Sequence, residues 1–349
     1  MKPAVALSRD GAPRIALVKL SSLGDVVHTL PVAHALRRLV PRAELTWLVE
    51  RREEAILGGN ADLDHVMAVD TRLWRREFRR PGGARAVLGK IAGLRRRLLE
   101  GRFDITLDLQ GLWKSGVITL WTRAPVRIGF ALGSCREAVN VLFTTHRIAV
   151  APGTMHVVEE NLTLLEPLSI RREDIGPPVL PIPSDPVAES VIARYLEEEG
   201  LKPDTPLVAL NPGSGGEGKR WAVDAYRRLG DALGVRLGAR ALVLWGPGEE
   251  PLARAIAHGM RAAPLIPPPT SIPQMVALLR RAAVVVGGDT GPIHIAGALG
   301  VPTLGLYGPT RARRNGPWGP RTAAIQSETG SMDGITVESV LAAAEALLT

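Results

Sequence analysis

Cysteine is almost absent: Cys135 is the only one among 349 residues. A lone thiol cannot close an internal disulfide and has no thiol neighbours for a zinc cluster, which fits a reducing compartment. No apolar run approaches the roughly 18 residues of a membrane-spanning helix. The opening residues 1–10 carry too short an apolar stretch, and no convincing cleavage site, for a signal peptide, so the expected location is cytoplasmic. Aromatic residues make up 4% of the chain, and no nucleic-acid module signature interleaves them with basic residues. Carboxylate clusters and His/Cys spacings suited to a metal ion are also missing, so no metal is expected.

Apolar residues are plentiful, at 46%, enough for two domains with separate cores. Positive charge is also in excess, by 8, and it is unevenly placed. Residues 1–150 hold 25 Lys and Arg against 14 Asp and Glu, whereas residues 151–349 hold 18 against 21. The excess peaks in residues 72–102, where eleven basic side chains face only Glu77 and Glu100. Such a surface attracts an anionic partner, whether a phosphorylated lipid headgroup, an acidic sugar or a nucleic acid; the plainer alternative is a solvated, arginine-rich helix.

Short apolar strands alternate with helical patterns in both halves, the mark of βαβ units and parallel sheets. In the first half strands are expected at residues 14–19, 44–49, 65–69 and 105–109, with a helix over 26–39 that ends before Pro41. In the second half they are expected at 206–210, 241–244, 284–287 and 303–307, with helices beginning at Asp224, Glu250, Ile272 and Pro292. The proline- and charge-rich stretch around residues 171–184 reads as a linker between domains 1–170 and 185–349. The closing helix is a candidate to pack back on the first domain. Two doubly wound, Rossmann-like α/β domains follow, with ligands expected beyond the carboxyl ends of the strands and in a cleft between the domains.

Five loops at strand ends hold the chemistry. Gly287-Gly-Asp289-Thr290-Gly291-Pro292-Ile-His294 runs from a buried-type strand through a tight turn into a helix, whose first free N–H groups and dipole favour a phosphate. Asp289, Thr290 and Pro292 are equally ordinary helix-start residues. In Lys19-Leu-Ser21-Ser22-Leu-Gly24-Asp25, a carboxylate just past a strand is placed to act as a general base, or simply to cap the next helix. Lys19, Ser21 and Ser22 suit either anion binding or turn amides, and His28 either solvent or a substrate. Asn211-Pro-Gly213-Ser214-Gly215-Gly216-Glu217-Gly218-Lys219 satisfies G-x-G-x-x-G without the acidic partner that a dinucleotide ribose needs. It also matches a P-loop up to Arg220, which replaces the magnesium-holding Ser or Thr. What remains is a glycine loop presenting Lys219 to a phosphate. Trp245-Gly-Pro-Gly-Glu249-Glu250 offers a carboxylate for ribose hydroxyls or a negative first helical turn. Leu306-Tyr-Gly-Pro-Thr310 turns at the same expected rim.

Lys19-Leu-Ser-Ser-Leu-Gly-Asp25-Val-Val-His-Thr-Leu-Pro31, Asp108-Leu-Gln110-Gly-Leu-Trp-Lys114-Ser, Lys219-Arg-Trp221, Gly-Gly-Asp289-Thr-Gly-Pro-Ile-His294 and Leu306-Tyr-Gly-Pro-Thr310 span about 290 residues. Together they resemble the lipopolysaccharide heptosyltransferases of glycosyltransferase family 9, most closely the heptosyltransferase I branch. The resemblance implies a GT-B fold and inverting, metal-independent transfer of L-glycero-D-manno-heptose from ADP-heptose to the Kdo region of lipid A (Kdo₂-lipid A), with no cofactor beyond the donor. It makes Asp25 the general base, Lys219 the cation on the donor diphosphate and Asp289 the carboxylate on heptose hydroxyls. Thr290, Gly291 and His294 become the phosphate-binding helix start, and either Glu249 or Glu250 the ribose contact. Lys19, Ser21, Ser22, Asp108, Gln110 and Lys114 become acceptor-side residues. The glycine loop departs from the threonine-containing loop of heptosyltransferase I, which affects the donor contacts around Ser214. Alternatives are heptosyltransferase II or another family 9 transferase with a different acceptor and, outside the family, a non-catalytic nucleotide- or nucleic-acid-binding protein whose support is charge alone; no nucleic-acid partner is expected.

An anionic lipid acceptor would give the basic first half a use, as a peripheral contact with the inner face of the inner membrane. Reversing several charges within residues 72–102 is expected to abolish sedimentation with anionic liposomes. Binding that survives the reversal would contradict that use.

Overall fold

Among the described residues, eleven parallel strands form two sheets, one in each of two compact units, residues 1–181 and 182–349. A computed structural model describes residues 12–151 and 153–348; the opening segment weighed as a signal peptide lies outside them.

The first unit carries β1 (Arg14–Val18), β2 (Glu44–Glu50), β3 (His65–Val69), β4 (Ile105–Asp108), β5 (Val126–Phe130) and β6 (His146–Ile148) in the order 3-2-1-4-5-6. Central β1 reads Arg-Ile-Ala-Leu-Val, and its last four residues are fully buried, as a parallel strand covered on both faces must be. The chain reverses its direction of travel between β1 and β4. Loops leaving those two strands therefore diverge and open a crevice at the carboxyl rim. On the neighbouring strand, buried Trp47 donates its indole N–H to the Lys19 carbonyl at 3.1 Å, which pins the β1 loop to β2.

The helix expected over residues 26–39 is two helices, Leu23–Val27 and Leu30–Leu39. Pro31 has no N–H to continue the first, and Asn161 takes up the break by donating to the His28 carbonyl and the Thr29 hydroxyl. Strands β5 and β6 were not anticipated. β5 carries Arg127 as its second residue, whose guanidinium bonds the Phe143 and Ala124 carbonyls, and β6 is a three-residue edge. Most of the expected linker belongs to the first unit: residues Arg172–Ile175 form a helical turn, and Arg38 donates to the Ile175 carbonyl at 2.6 Å.

The second unit orders β7 (Leu207–Asn211), β8 (Arg240–Val243), β9 (Val284–Gly288), β10 (Thr303–Tyr307) and β11 (Thr322–Gln326) as 11-10-9-7-8, with its reversal between β7 and β9. Helices Val223–Leu237, Glu250–His258, Ile272–Arg280 and Gly291–Ala298 start within a residue of the expected points. The closing helix, Val337–Leu348, buries Val337, Val340, Leu341 and Ala344 in the same core as Leu229, Leu304 and Leu306, so its apolar face is satisfied within the second unit. Gly287 lets β9 close on β7, because a Cβ there would stand 2.5 Å from the Asn211 carbonyl oxygen. Among the described residues, no helix is long and apolar enough to cross a membrane.

Candidate active site

At the carboxyl rim of the first sheet, Asp25 sits in the first turn of helix Leu23–Val27, and its two oxygens have different partners. Oδ2 accepts from the Ser22 backbone N–H at 3.1 Å and the Ser22 hydroxyl at 3.0 Å, half of a capping box. Oδ1 accepts from Arg136 Nη2 at 2.8 Å and lies 4.0 Å from Lys19 Nζ. The carboxylate closes the cap of its helix and at the same time stands between two cations.

Several residues expected to meet an acceptor are instead the frame around Asp25. Lys19 is 2% exposed and donates to the Leu109 carbonyl at 2.8 Å; its ammonium acts on Asp25 from below the surface. Asp108 is 0% exposed, its carboxylate taken by the backbone N–H groups of Gln110 and Gly111, the Ser115 hydroxyl and the Asn140 amide at 2.7–3.1 Å. Burial pushes the Asp108 carboxyl up, against the pull of these four donors. Gln110 is buried too, and its side-chain oxygen accepts from the backbone N–H groups of Leu20 and Ser21 at 3.0 and 3.1 Å. Lys114 is partly exposed and lies 3.5 Å from the buried Glu50 carboxylate. His28 faces neither solvent nor an open site: it is buried edge-on to His156, ring centres 5.1 Å apart.

At the carboxyl rim of the second sheet, helix Gly291–Ala298 starts without a side-chain cap. Thr290 donates its hydroxyl to the Gly288 carbonyl at 3.2 Å and accepts from the Asn211 amide at 2.6 Å. Asp289 turns to His294, with Oδ1 and Nε2 3.0 Å apart. The residues that could have capped this helix are thus engaged elsewhere, which leaves its first turn open to an anion. Lys219 ends a short turn, Glu217–Lys219, whose last carbonyl packs against Gly288. Behind it, buried Trp221 donates to the Ile335 carbonyl and stacks edge-on against Tyr226, whose hydroxyl donates to the Asn211 carbonyl at 3.0 Å.

Glu249 and Glu250, the two candidates for a ribose contact, sit in different settings. Glu249 accepts from the backbone N–H groups of Ser214 and Gly246 at 3.2 and 3.0 Å, lying under the glycine loop. A Cβ on Gly213 would fall 2.4 Å from that carboxylate, which explains the glycine. Glu250 faces outward and pairs with Arg254 one turn on, at 2.6 Å. The Ser214 hydroxyl donates to the Gly216 carbonyl, closing the loop on itself.

Arg136, Ser115, Asn140, Asn211 and Tyr226 were not foreseen. Arg136 was one arginine in a basic half; Ser115 and Asn140 act on the Asp108 carboxylate, Asn211 on the Thr290 hydroxyl and Tyr226 on the Asn211 carbonyl, with no spacing to announce those partners. Among the described residues, no group of three or more His, Cys, Asp or Glu is arranged to hold a metal ion.

Burial alone pushes the Asp25 carboxyl up, but Lys19, Arg136 and the Ser22 donors outweigh it and hold it at about 2, against an ordinary 3.8. A carboxyl lowered on folding stabilises the fold above its unfolded value, and that contribution fades as pH falls through the folded one. At about 1.4 kcal/mol per unit, Asp25 contributes on the order of 2 kcal/mol at neutral pH, lost between about pH 4 and pH 2. Asp25→Asn is therefore expected to lower the urea midpoint at neutral pH and to converge with the native protein in acid; a constant gap across that range would contradict the ion pairing.

The family model for glycosyltransferase family 9 (heptosyltransferase) matches residues 91–342. The chain is 31% identical over 319 residues to lipopolysaccharide heptosyltransferase 1 of Pseudomonas aeruginosa, covering 90% of this chain and 84% of that one. It is 27% identical over 329 residues to the Salmonella typhimurium protein of the same name, covering 94% and 98%. Among solved structures, the Escherichia coli heptosyltransferase WaaC with ADP superposes with a TM-score of 0.77 at 25% identity, covering 96% of this chain and 99% of that one. That likeness, over two Rossmann-like units, gives the fold as GT-B. The chain belongs to glycosyltransferase family 9, the heptosyltransferases, and is a glycosyltransferase most similar to the type 1 proteins.

Proposed function

We propose that this enzyme transfers L-glycero-D-manno-heptose from ADP-heptose to the Kdo region of lipid A in lipopolysaccharide inner-core synthesis, with inversion and without a metal. The observation that carries the proposal is the uncapped helix start at Thr290 and Gly291, sharing one sheet rim with Lys219 and Glu249. That set suits a nucleoside diphosphate: helix N–H groups and Lys219 for the phosphates, Glu249 for the ribose hydroxyls. Asp289, braced by His294, is left to accept from the sugar's hydroxyls. The similarity to lipopolysaccharide heptosyltransferase 1 proteins, and a solved relative that holds ADP, support the same donor and acceptor.

Asp25 is the base in this reading. The acceptor oxygen attacks the anomeric carbon from the face opposite the leaving group while the bond to ADP breaks, and charge spreads over an oxocarbenium-like state. The hydroxyl proton passes to the Asp25 carboxylate, and ADP leaves with the bonding electron pair. General-base assistance of this kind contributes typically about 10²- to 10⁴-fold. Lys219 and the helix start stabilise the charge growing on the diphosphate, the work a metal does in other transferases. All eleven basic side chains of residues 72–102 are exposed, on and around helices Thr71–Phe78 and Gly83–Glu100, where they suit anionic acceptor groups and the inner face of the inner membrane.

The test is mass-spectrometric detection of heptose transfer from ADP-heptose to Kdo-bearing lipid A in excess chelator, with a heptosylated core as the alternative acceptor. Transfer that resists chelation, prefers the heptose-free acceptor and falls about 10²- to 10⁴-fold in Asp25→Asn is expected. A folded native protein inactive on the heptose-free acceptor would contradict the proposal.

A further inference from the structure

We infer that Arg136 is a positioning residue that holds the Asp25 carboxylate in an idle pair, and that a carboxylate on the acceptor releases the base by taking the guanidinium. The inference rests on the reading of Asp25 as the base. One Asp25 oxygen is committed to the Ser22 cap, so only Oδ1 is placed to receive a proton, and Arg136 Nη2 covers it at 2.8 Å. The guanidinium takes one of the two acceptor directions of that oxygen and draws off its negative charge, so a hydroxyl donates there less well while it stays.

The two cations beside Asp25 differ in kind. Lys19 is buried and tied to the Leu109 carbonyl, a fixed part of the site. Arg136 reaches Asp25 through a single side-chain hydrogen bond, and its side chain is 43% exposed. Its backbone, in contrast, is held firmly. Gly111 adopts φ +70°, where a Cβ would stand 3.2 Å from the Arg136 nitrogen, and the Glu137 N–H donates to the Gly111 carbonyl at 3.0 Å. The Glu137 carboxylate in turn accepts from the Trp113 N–H at 2.5 Å. A rigid loop thus presents a side chain free to rotate away at little cost.

The Arg136 side chain is 43% exposed and screened by water, so exchanging one carboxylate partner for another is close to neutral. The planar guanidinium fork matches a carboxylate in two parallel bonds, against the single bond it makes to Asp25. A sugar-acid carboxylate near the attacking hydroxyl would draw Arg136 off Oδ1 and leave that oxygen open to the hydroxyl proton. After transfer the proton leaves Asp25 for solvent and Arg136 returns. An acceptor without the carboxylate would meet a base still clamped, so the pair discriminates among acceptors.

The experiment compares native protein, Arg136→Met and Arg136→Lys on three acceptors: unmodified, carboxyl-reduced and dephosphorylated. On the unmodified acceptor, Arg136→Met is expected to lose about 10- to 100-fold in kcat/KM, the worth of one charge-assisted hydrogen bond, with partial rescue in Arg136→Lys. On the carboxyl-reduced acceptor the order reverses: Arg136→Met outpaces the native protein several-fold, because nothing clamps its base. A merely structural or merely anion-binding arginine gives no such reversal. Native protein that works on the unmodified acceptor, with Arg136→Met equal to or slower than it on the reduced one, overturns the inference alone. Sensitivity to dephosphorylation but not to carboxyl reduction overturns the carboxylate assignment. A native protein inactive on the unmodified acceptor overturns the transferase reading and the inference together.

Discussion

The Asp108 carboxylate, without exposed surface, is tied to four donors from three separate segments, and the geometry around Asp25 depends on it. It fixes the turn after β4, and that turn sets the Gln110 amide oxygen under the N–H groups of Leu20 and Ser21. The same turn carries Gly111, against which the Arg136 loop closes. Removing the carboxylate would leave the buried N–H groups of Gln110 and Gly111 without their acceptor, at a desolvation cost for each, and would leave Ser115 and Asn140 only the Leu112 carbonyl. Asp25 is therefore placed through a residue that has no exposed surface of its own.

The second unit reaches its geometry by a different means, close approach of backbone. Gly213 admits the Glu249 carboxylate beneath the glycine loop, and Gly287 admits Asn211 against β9. Asn211 then holds Thr290 from the side, which keeps that hydroxyl off its own helix start. Where the first unit uses a buried charge to order a loop, the second uses missing side chains to let carboxylate and amide groups pack close against backbone near an uncapped helix start.

Periodicity carried most of the fold. β10 falls on the expected residues, and the helices of the second unit start almost where turn and cap residues place them, because burial on both strand faces writes a continuous apolar run. The unforeseen strands β5, β6 and β11 are short, polar or at an edge, where packing rather than pattern decides. Among candidate site residues, the motifs located the rims but not the division of labour within them. Lys19, Asp108 and Gln110 carry the residue types of ligand contacts, yet burial makes them frame. Arg136, remote in sequence and anonymous among many arginines, meets Asp25 because the loop after β5 closes against the turn after β4, at the rim where the β1 loop also ends.

The central claim is a separation of tasks: Asp25 serves the bond-making step, while Glu249, Lys219 and the Thr290 helix start hold the nucleotide. Calorimetric titration of ADP into the native protein and Asp25→Asn, with transfer measured on the same samples, tests it most directly. The account predicts an ADP dissociation constant unchanged within about twofold while transfer collapses. ADP affinity that falls in step with transfer would contradict it, because Asp25 would then belong to the nucleotide site rather than to the reacting hydroxyl.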